Sequence, residues 1–323
     1  MAISHLSGRT ALLMTVSPLL WAANAVVGRL MVGLVSPMLL NLVRWVLAAL
    51  ILLPLGAGVF RRGHDVRRSA PYLLLVGSLG VGTYNALQYL ALETSTPINV
   101  TLIAASMPVW MLAVGALCFD ATPSRPQLLG AALSVAGVLL VVARGDLGAL
   151  ARVQLVRGDL YVVGAVIAWA FYSWLLVRPP AALLGGEPPV WTWAELLLLQ
   201  VLFGLLLAGG AATVEAALGH ATLVASPRVL AAIVFVAVGP AVIAYRCWGL
   251  GVATGGPSLA ALFSNLTPLF AALLSAAVLH QPPRWFHAVA FALIVAGILV
   301  PARVEATTRV APTRAPDVRR SRS

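Results

Sequence analysis

The chain is a succession of apolar runs, each long enough to cross a bilayer, with only short polar punctuation between them. The runs lie at roughly 11–34, 36–57, 71–92, 96–119, 124–143, 158–178, 191–212, 228–250, 257–279 and 284–302. A helix needs about 20 mostly apolar residues to span about 30 Å of hydrocarbon, so these runs predict ten transmembrane helices. The breaks carry helix-stopping chemistry: "VSP" at 35–37, "RRGHDVRRSAP" at 61–71, "ETSTP" at 93–97, "DATPSRP" at 120–126 and "HQPPR" at 280–284. Composition excludes a soluble globule of this length. Only 10% of residues are charged and 61% are hydrophobic, whereas soluble domains are about 25% charged. The predicted class is an all-α membrane protein.

The net charge of +11 brings nucleic acid to mind, but the positions of the arginines fit membrane topology instead. With the N terminus in the cytoplasm, Arg9, Arg61, Arg62, Arg67, Arg68, Arg125, Arg178 and the tail arginines from Arg303 to Arg322 all fall inside. Only Arg144, Arg152, Arg157, Arg228 and Arg284 fall in outer loops. Both termini are therefore expected in the cytoplasm of a multi-pass protein of the inner or plasma membrane, with no nucleic-acid partner.

A shift of 160 residues superimposes Pro97 on Pro257, Pro108 on Pro268, Pro123 on Pro283 and Gly137 on Gly297. Around the last pair "ALSVAGVLL" faces "ALIVAGILV". The expected organisation is a first five-helix repeat over 1–150, a second over 151–303, and a disordered basic cytoplasmic tail over 304–323. Because five is odd, the second repeat enters the membrane inverted, a construction that recurs in secondary transporters with a central site. The same pairing decides how "SPLLWAANAVVGRL" at 17–30 is read. "AANA" has the look of a signal-peptide cleavage site, but cleavage there leaves the halves unequal, so the stretch reads as the first span.

"LLWAANAVVGRLMVGLVSPMLLNLVRWVLAALILL" resembles the opening helix pair of EamA-type members of the drug/metabolite transporter superfamily, with an aromatic-small pair in helix 1 and one arginine midway along helix 2. "TPINVTLIAASMPVWMLAVGALCF", "QLLGAALSVAGVLLV", "GPSLAALFSNLTPLFAALLSAAVL" and "FALIVAGILV" resemble helices 4, 5, 9 and 10 of that family. The resemblance covers 11–302 and implies a carrier, with outward movement as its expected direction. One departure stands out. The family often has Glu after helices 4 and 9, where this chain has Ala121 and Gln281, so no role for those carboxylates carries over.

Aromatic and amide side chains near midspan are the expected lining of a substrate cavity, since rings give flat apolar walls and amides bond polar substrate groups. In helix 1, Trp21, Asn24 and Gly28 share a face. The other candidates are Arg44, Tyr84, Asn85, Gln88, Trp169, Tyr172, Tyr245, Trp248 and Asn265. Arg44 reads equally as a structural residue. Arg29, about one turn from the outer end of helix 1, can snorkel and reads as an anchor, and Arg246 reads as an anchor or as a substrate counter-charge. Pro108 and Pro268 are hinge candidates, because a mid-span proline removes a backbone hydrogen bond. The small residues Gly130, Ser134, Gly137 and Gly297 permit close helix contact, within the chain or along a homodimer seam.

No metal site, cofactor motif or catalytic set is expected. The histidines sit in loops or at span ends, and neither HExxH nor a phosphate-binding loop occurs. The reading is a secondary transporter, in its simplest form an exporter of small metabolites or amphipathic compounds, working by alternating access. An importer or exchanger of the same fold, and a membrane-integral enzyme or scaffold, are the alternatives.

Overall fold

The computed structural model describes residues 7–95, 97–278 and 284–310. Ten helical runs cross the molecule in alternating directions: α1 (Gly8–Leu30), α2 (Pro37–Gly56), α3 (70–94), α4 (97–118), α5 (Arg125–Val142), α6 (Arg157–Val177), α7 (Trp193–Ala217), α8 (Pro227–Gly255), α9 (257–278) and α10 (Trp285–Val310). Eight helices among the described residues are long and apolar enough to cross a membrane, with Met107–Cys118 a shorter apolar one. The molecule is an all-helical multi-pass membrane protein. Leu12, Leu50, Leu117 and Leu206 stand exposed on the outer faces, as a lipid-facing surface requires, while backbone polar groups are satisfied inside helices. The end at which α1 begins is called the near end below, and the opposite end the far end.

The helix starts follow local chemistry. Ser36 and Ser226 each precede a proline in the first turn, where the missing N–H costs no bond. Ser124 with Gln127 and Thr192 with Glu195 form capping boxes at α5 and α7. Between α8 and α9, Gly256 at φ +84° turns the chain with no room for a longer linker.

Four runs are interrupted, and the interruptions come in pairs related by the same 160-residue shift. In α3 a π-helical segment occupies Ser78–Thr83, and in α8 another occupies Ala237–Ile243. In α4 the helix stops at Ala104 and restarts at Met107, while α9 stops at Ser264 and restarts at Leu266. Pro108 and Pro268 therefore lie in the first turns of restarted helices, a position that tolerates proline. The break comes before each proline, not at it.

The small-residue face is used within the chain. A side chain on Gly130 would stand 2.5 Å from the Gly297 carbonyl oxygen, and one on Gly297 2.6 Å from that of Gly130. Backbones of α5 and α10 thus touch, and Ser134 and Gly137 are buried in the same seam. Another correction concerns the ends. The last helix runs to Val310, past the expected start of the tail, and 311–323 lie outside the described residues. The seventh run extends to Ala217, which makes Glu215 a helical residue and not a loop one.

Candidate functional site: an aromatic cluster between the halves

Six of the side chains expected in the cavity meet at midspan. Trp169 on α6 is the hub, with ring centroids 5.2 Å from Trp21, 4.8 Å from Tyr84, 5.0 Å from Tyr172, 5.4 Å from Tyr245 and 5.4 Å from Trp248. Edge-on contacts at these separations add to the burial of the rings themselves. Both halves contribute: Trp21 and Tyr84 from the first, the other four from the second. Trp45 of α2 joins them 5.0 Å from Tyr245. It escapes a sequence reading because the neighbouring Arg44 dominates that segment, although its spacing to Ala48 and Leu52, also buried, marks an inward face.

The π-helical segments explain how the polar tips of these rings are satisfied. A π turn leaves carbonyls out of the regular ladder, and such turns are frequent at functional sites. The Tyr245 hydroxyl donates to the Gly80 carbonyl at 2.5 Å. The Trp21 indole donates to the Pro240 carbonyl at 3.3 Å. Gly80 and Pro240 are partners under the internal repeat, so each half offers a loosened carbonyl to an aromatic residue of the other. Gly80 must remain glycine for a second reason. A side chain there would stand 2.6 Å from the Tyr172 ring.

The remaining rings are tied in the same way. Tyr172 donates to Gln200 at 3.0 Å, and Trp248 donates to the Ser173 hydroxyl at 3.1 Å. Gln88 donates to the Tyr84 hydroxyl at 3.0 Å. Asn24 is half-buried on the face of Trp21, and Gly28 opens onto free space. The side chain of Arg29 lies outside the described residues.

Two of the expected cavity residues do different work. Asn265 is buried at the break in α9, where its amide donates to the Ala105 carbonyl at 3.3 Å and to Ser134 at 2.9 Å. Ala105 is the break residue of α4, so the amide staples one interrupted helix to the other. Asn85 donates to Val81 one turn back, at 3.4 Å, within the π-helical region. Both amides are spent on irregular backbone. Arg246 is exposed and lies over the Trp193 ring at 4.2 Å, an arrangement that fits an anchor. Arg44 is buried, and its placement is taken up below.

A cavity of about 330 Å³ opens at the near end. Its walls include Asp120, Gln127, Trp174, Arg178, Val252 and Thr254. Two of its wall residues, Trp174 and Val252, stand on α6 and α8, the helices that also carry Trp169 and Trp248. None of the expected cavity residues lines it, because they pack against one another beneath it. Asp120 holds φ +49° and caps α4, the next amide, that of Ala121, reaching back to the Gly115 carbonyl at 2.9 Å. Arg178 donates to the Phe119 carbonyl and lies over Trp174. Among the described residues no group of three or more His, Cys, Asp or Glu is placed to hold a metal ion.

Known proteins share both sequence and architecture with this chain. The sequence matches the EamA-like transporter family over 8–143 and 156–302. It is 26% identical over 271 residues to the uncharacterized transporter YyaM of Bacillus subtilis, spanning 83% of this chain and 85% of that one. It is also 26% identical to an uncharacterized transporter of Archaeoglobus fulgidus, over 91% of this chain and 97% of that one. One crystal structure, 21% identical, superimposes with a TM-score of 0.73 over 93% of this chain and 98% of its own, a likeness of fold.

Proposed function

We propose, given that this chain belongs to the EamA-like transporter family, that it exports a small amphipathic organic compound from the cytoplasm by alternating access. EamA is a transporter family and not an enzyme family, so a membrane-integral catalyst is set aside. The observation that carries the proposal is the aromatic cluster: rings from both halves meet at midspan beneath a cavity at the near end. A flat apolar body entering that cavity would meet Trp174 first and then displace ring–ring contacts for ring–ligand ones. The halves share the cluster, so binding there acts on how they sit against each other.

The near end carries Arg61, Arg62, Arg67, Arg68 and Arg178. The excess of arginine in short cytoplasmic loops makes it the cytoplasmic end, with both termini on that side of the inner or plasma membrane. The cavity is then the loading side of an exporter.

Metabolite profiles of medium and cytosol, with the protein overproduced or deleted, test substrate and direction together. The expected result is a compound that accumulates outside on overproduction and inside on deletion; the reverse pattern overturns export. In sealed vesicles carrying that compound, Trp21→Ala and Tyr84→Ala are expected to lower flux about tenfold or more, with normal insertion. Normal flux in both variants removes the cluster from the transport path.

A further inference from the structure

A guanidinium in the middle of a membrane helix is expensive unless something answers its charge. Arg44 lies well inside α2 and is 2% exposed. Its Nε and Nη1 have no hydrogen-bond partner. Asn41, one turn earlier on the same face, is 1% exposed with neither amide atom partnered. Trp45, fully buried beside them, has an unpartnered indole Nε1. Buried polar atoms are nearly always paired, and here one helix face holds three residues that break the rule together.

Among the described residues no carboxylate pairs with Arg44. Glu195 is paired with Arg62. Asp159 accepts from Ser95, Asn99 and the Val156 amide. Glu215 accepts from Ser36 and the Met38 and Leu39 amides. Beside Arg44 lies an aromatic ring: its Cζ is 4.7 Å from the Trp45 ring. Trp45 is also where the cluster begins, packed against Tyr245.

We infer that Asn41, Arg44 and Trp45 form the anion subsite of the carrier, and that its substrate bears a carboxylate on a flat apolar body. The unpartnered groups are predominantly N–H donors around a single positive charge. A carboxylate offers two oxygens in the plane of the guanidinium fork and one negative charge to balance it, whereas a phosphate dianion would leave the site with an excess charge. The carboxylate seats on α2 while the body lies across the rings. The inference rests on the export reading only for the place of the cluster in the path.

The test uses purified full-length protein in detergent. Leaving an unpaired cation buried is destabilising, and an apolar replacement of similar shape relieves it. Arg44→Met is therefore expected to raise the melting temperature of the ligand-free protein by several degrees. A structural arginine would give the opposite result, and a lower melting temperature or a failure to fold overturns the inference. A second measurement needs no variant. Titration with 3-phenylpropionate is expected to raise the wild-type melting temperature, while the neutral 3-phenylpropanamide, of the same shape, does so at least tenfold more weakly. Equal shifts from acid and amide, zero included, overturn the subsite. Vesicle flux that depends on Trp21 and Tyr84 would survive that failure, which separates it from failure of the export reading.

Discussion

The two ends of the bundle use similar residues to opposite effect. At the far end, carboxylates join segments distant in sequence. Asp159 opens α6 and accepts from Ser95 and Asn99 at the α3–α4 turn, so it ties the second half to the first. Glu215, at the end of α7, accepts from Ser36 and from two backbone amides at the start of α2, where the helix N terminus favours negative charge. A short antiparallel bridge between Val35 and Leu223 closes the same side. At the near end Glu195 bonds mainly to its own cap and to Arg62 beside solvent, and the cavity opens nearby. The far end is therefore tied by two carboxylates, Asp159 buried and Glu215 half-buried, whereas the near end has one buried carboxylate, Glu195, tied to a partly exposed Arg62, and a cavity at that end. The proposed alternation of access would break these far-end bonds, so they are the place to test it.

Removing Asp159 has the largest expected effect. Asp159→Ala removes the charged acceptor shared by the Ser95 hydroxyl, the Asn99 amide and the Val156 N–H, although Asn99 keeps its bond to the Gln154 carbonyl, a loss of about 2 kcal/mol in unfolding experiments. It also loosens the far end of α3 from α6, two helices that stay packed at midspan through Tyr84 and Trp169. Ala91 is fully buried there, its carbonyl 2.7 Å from where a side chain on Gly158 would stand. In a Cys118→Ser background, Ala91→Cys is expected to resist a membrane-impermeant maleimide in the parent and to react in the Asp159→Ala protein. Unchanged labelling means the far end is not held by this carboxylate.

Glu215→Gln is milder. The amide keeps an acceptor oxygen for Ser36 or for the α2 amides but loses the charge at the helix N terminus, a cost of about 1 kcal/mol. A melting temperature as low as that of Asp159→Ala overturns the ranking and makes the α7–α2 clasp the principal seal.

How much of this could be read from the sequence follows from the range of each interaction. The helix runs, the repeat and most of the rings are local in pattern: apolar length, matched prolines, tryptophan and tyrosine at midspan. What the pattern leaves out is pairing across the fold. Glu215 meets Ser36 across most of the chain, and nothing near either residue announces it. The π-helical segments are equally silent, since "SLGVGT" and "AVGPAVI" read as ordinary apolar helix until Tyr245 and Trp21 are seen on their carbonyls. Asn265 is legible as a polar residue in a span but not as a staple, because its partners, the Ala105 carbonyl and the Ser134 hydroxyl, lie far away along the chain. The cavity rim is hidden for a related reason: Asp120 and Arg178 sit in loops just past helix ends, where charge is common.

The near-end pair is expected to matter least, and its smallness is what gives the comparison its edge. Glu195→Gln leaves the Thr192 hydroxyl as acceptor for the helix amide and an amide oxygen for the Thr192 N–H. Only the charge facing Arg62 is lost; Glu195 is buried, but its partner Arg62 is one-third exposed, at 36%. Solvent screens such a pair, so the melting temperature should stay close to that of the parent and shift little with added salt. Labelling of Ala91→Cys at the far end should not change. A rise in that labelling would mean that the near-end pair sets the state of the far end. The two ends would then be one coupled device, with the Arg62–Glu195 pair holding the seal from the opposite side of the membrane.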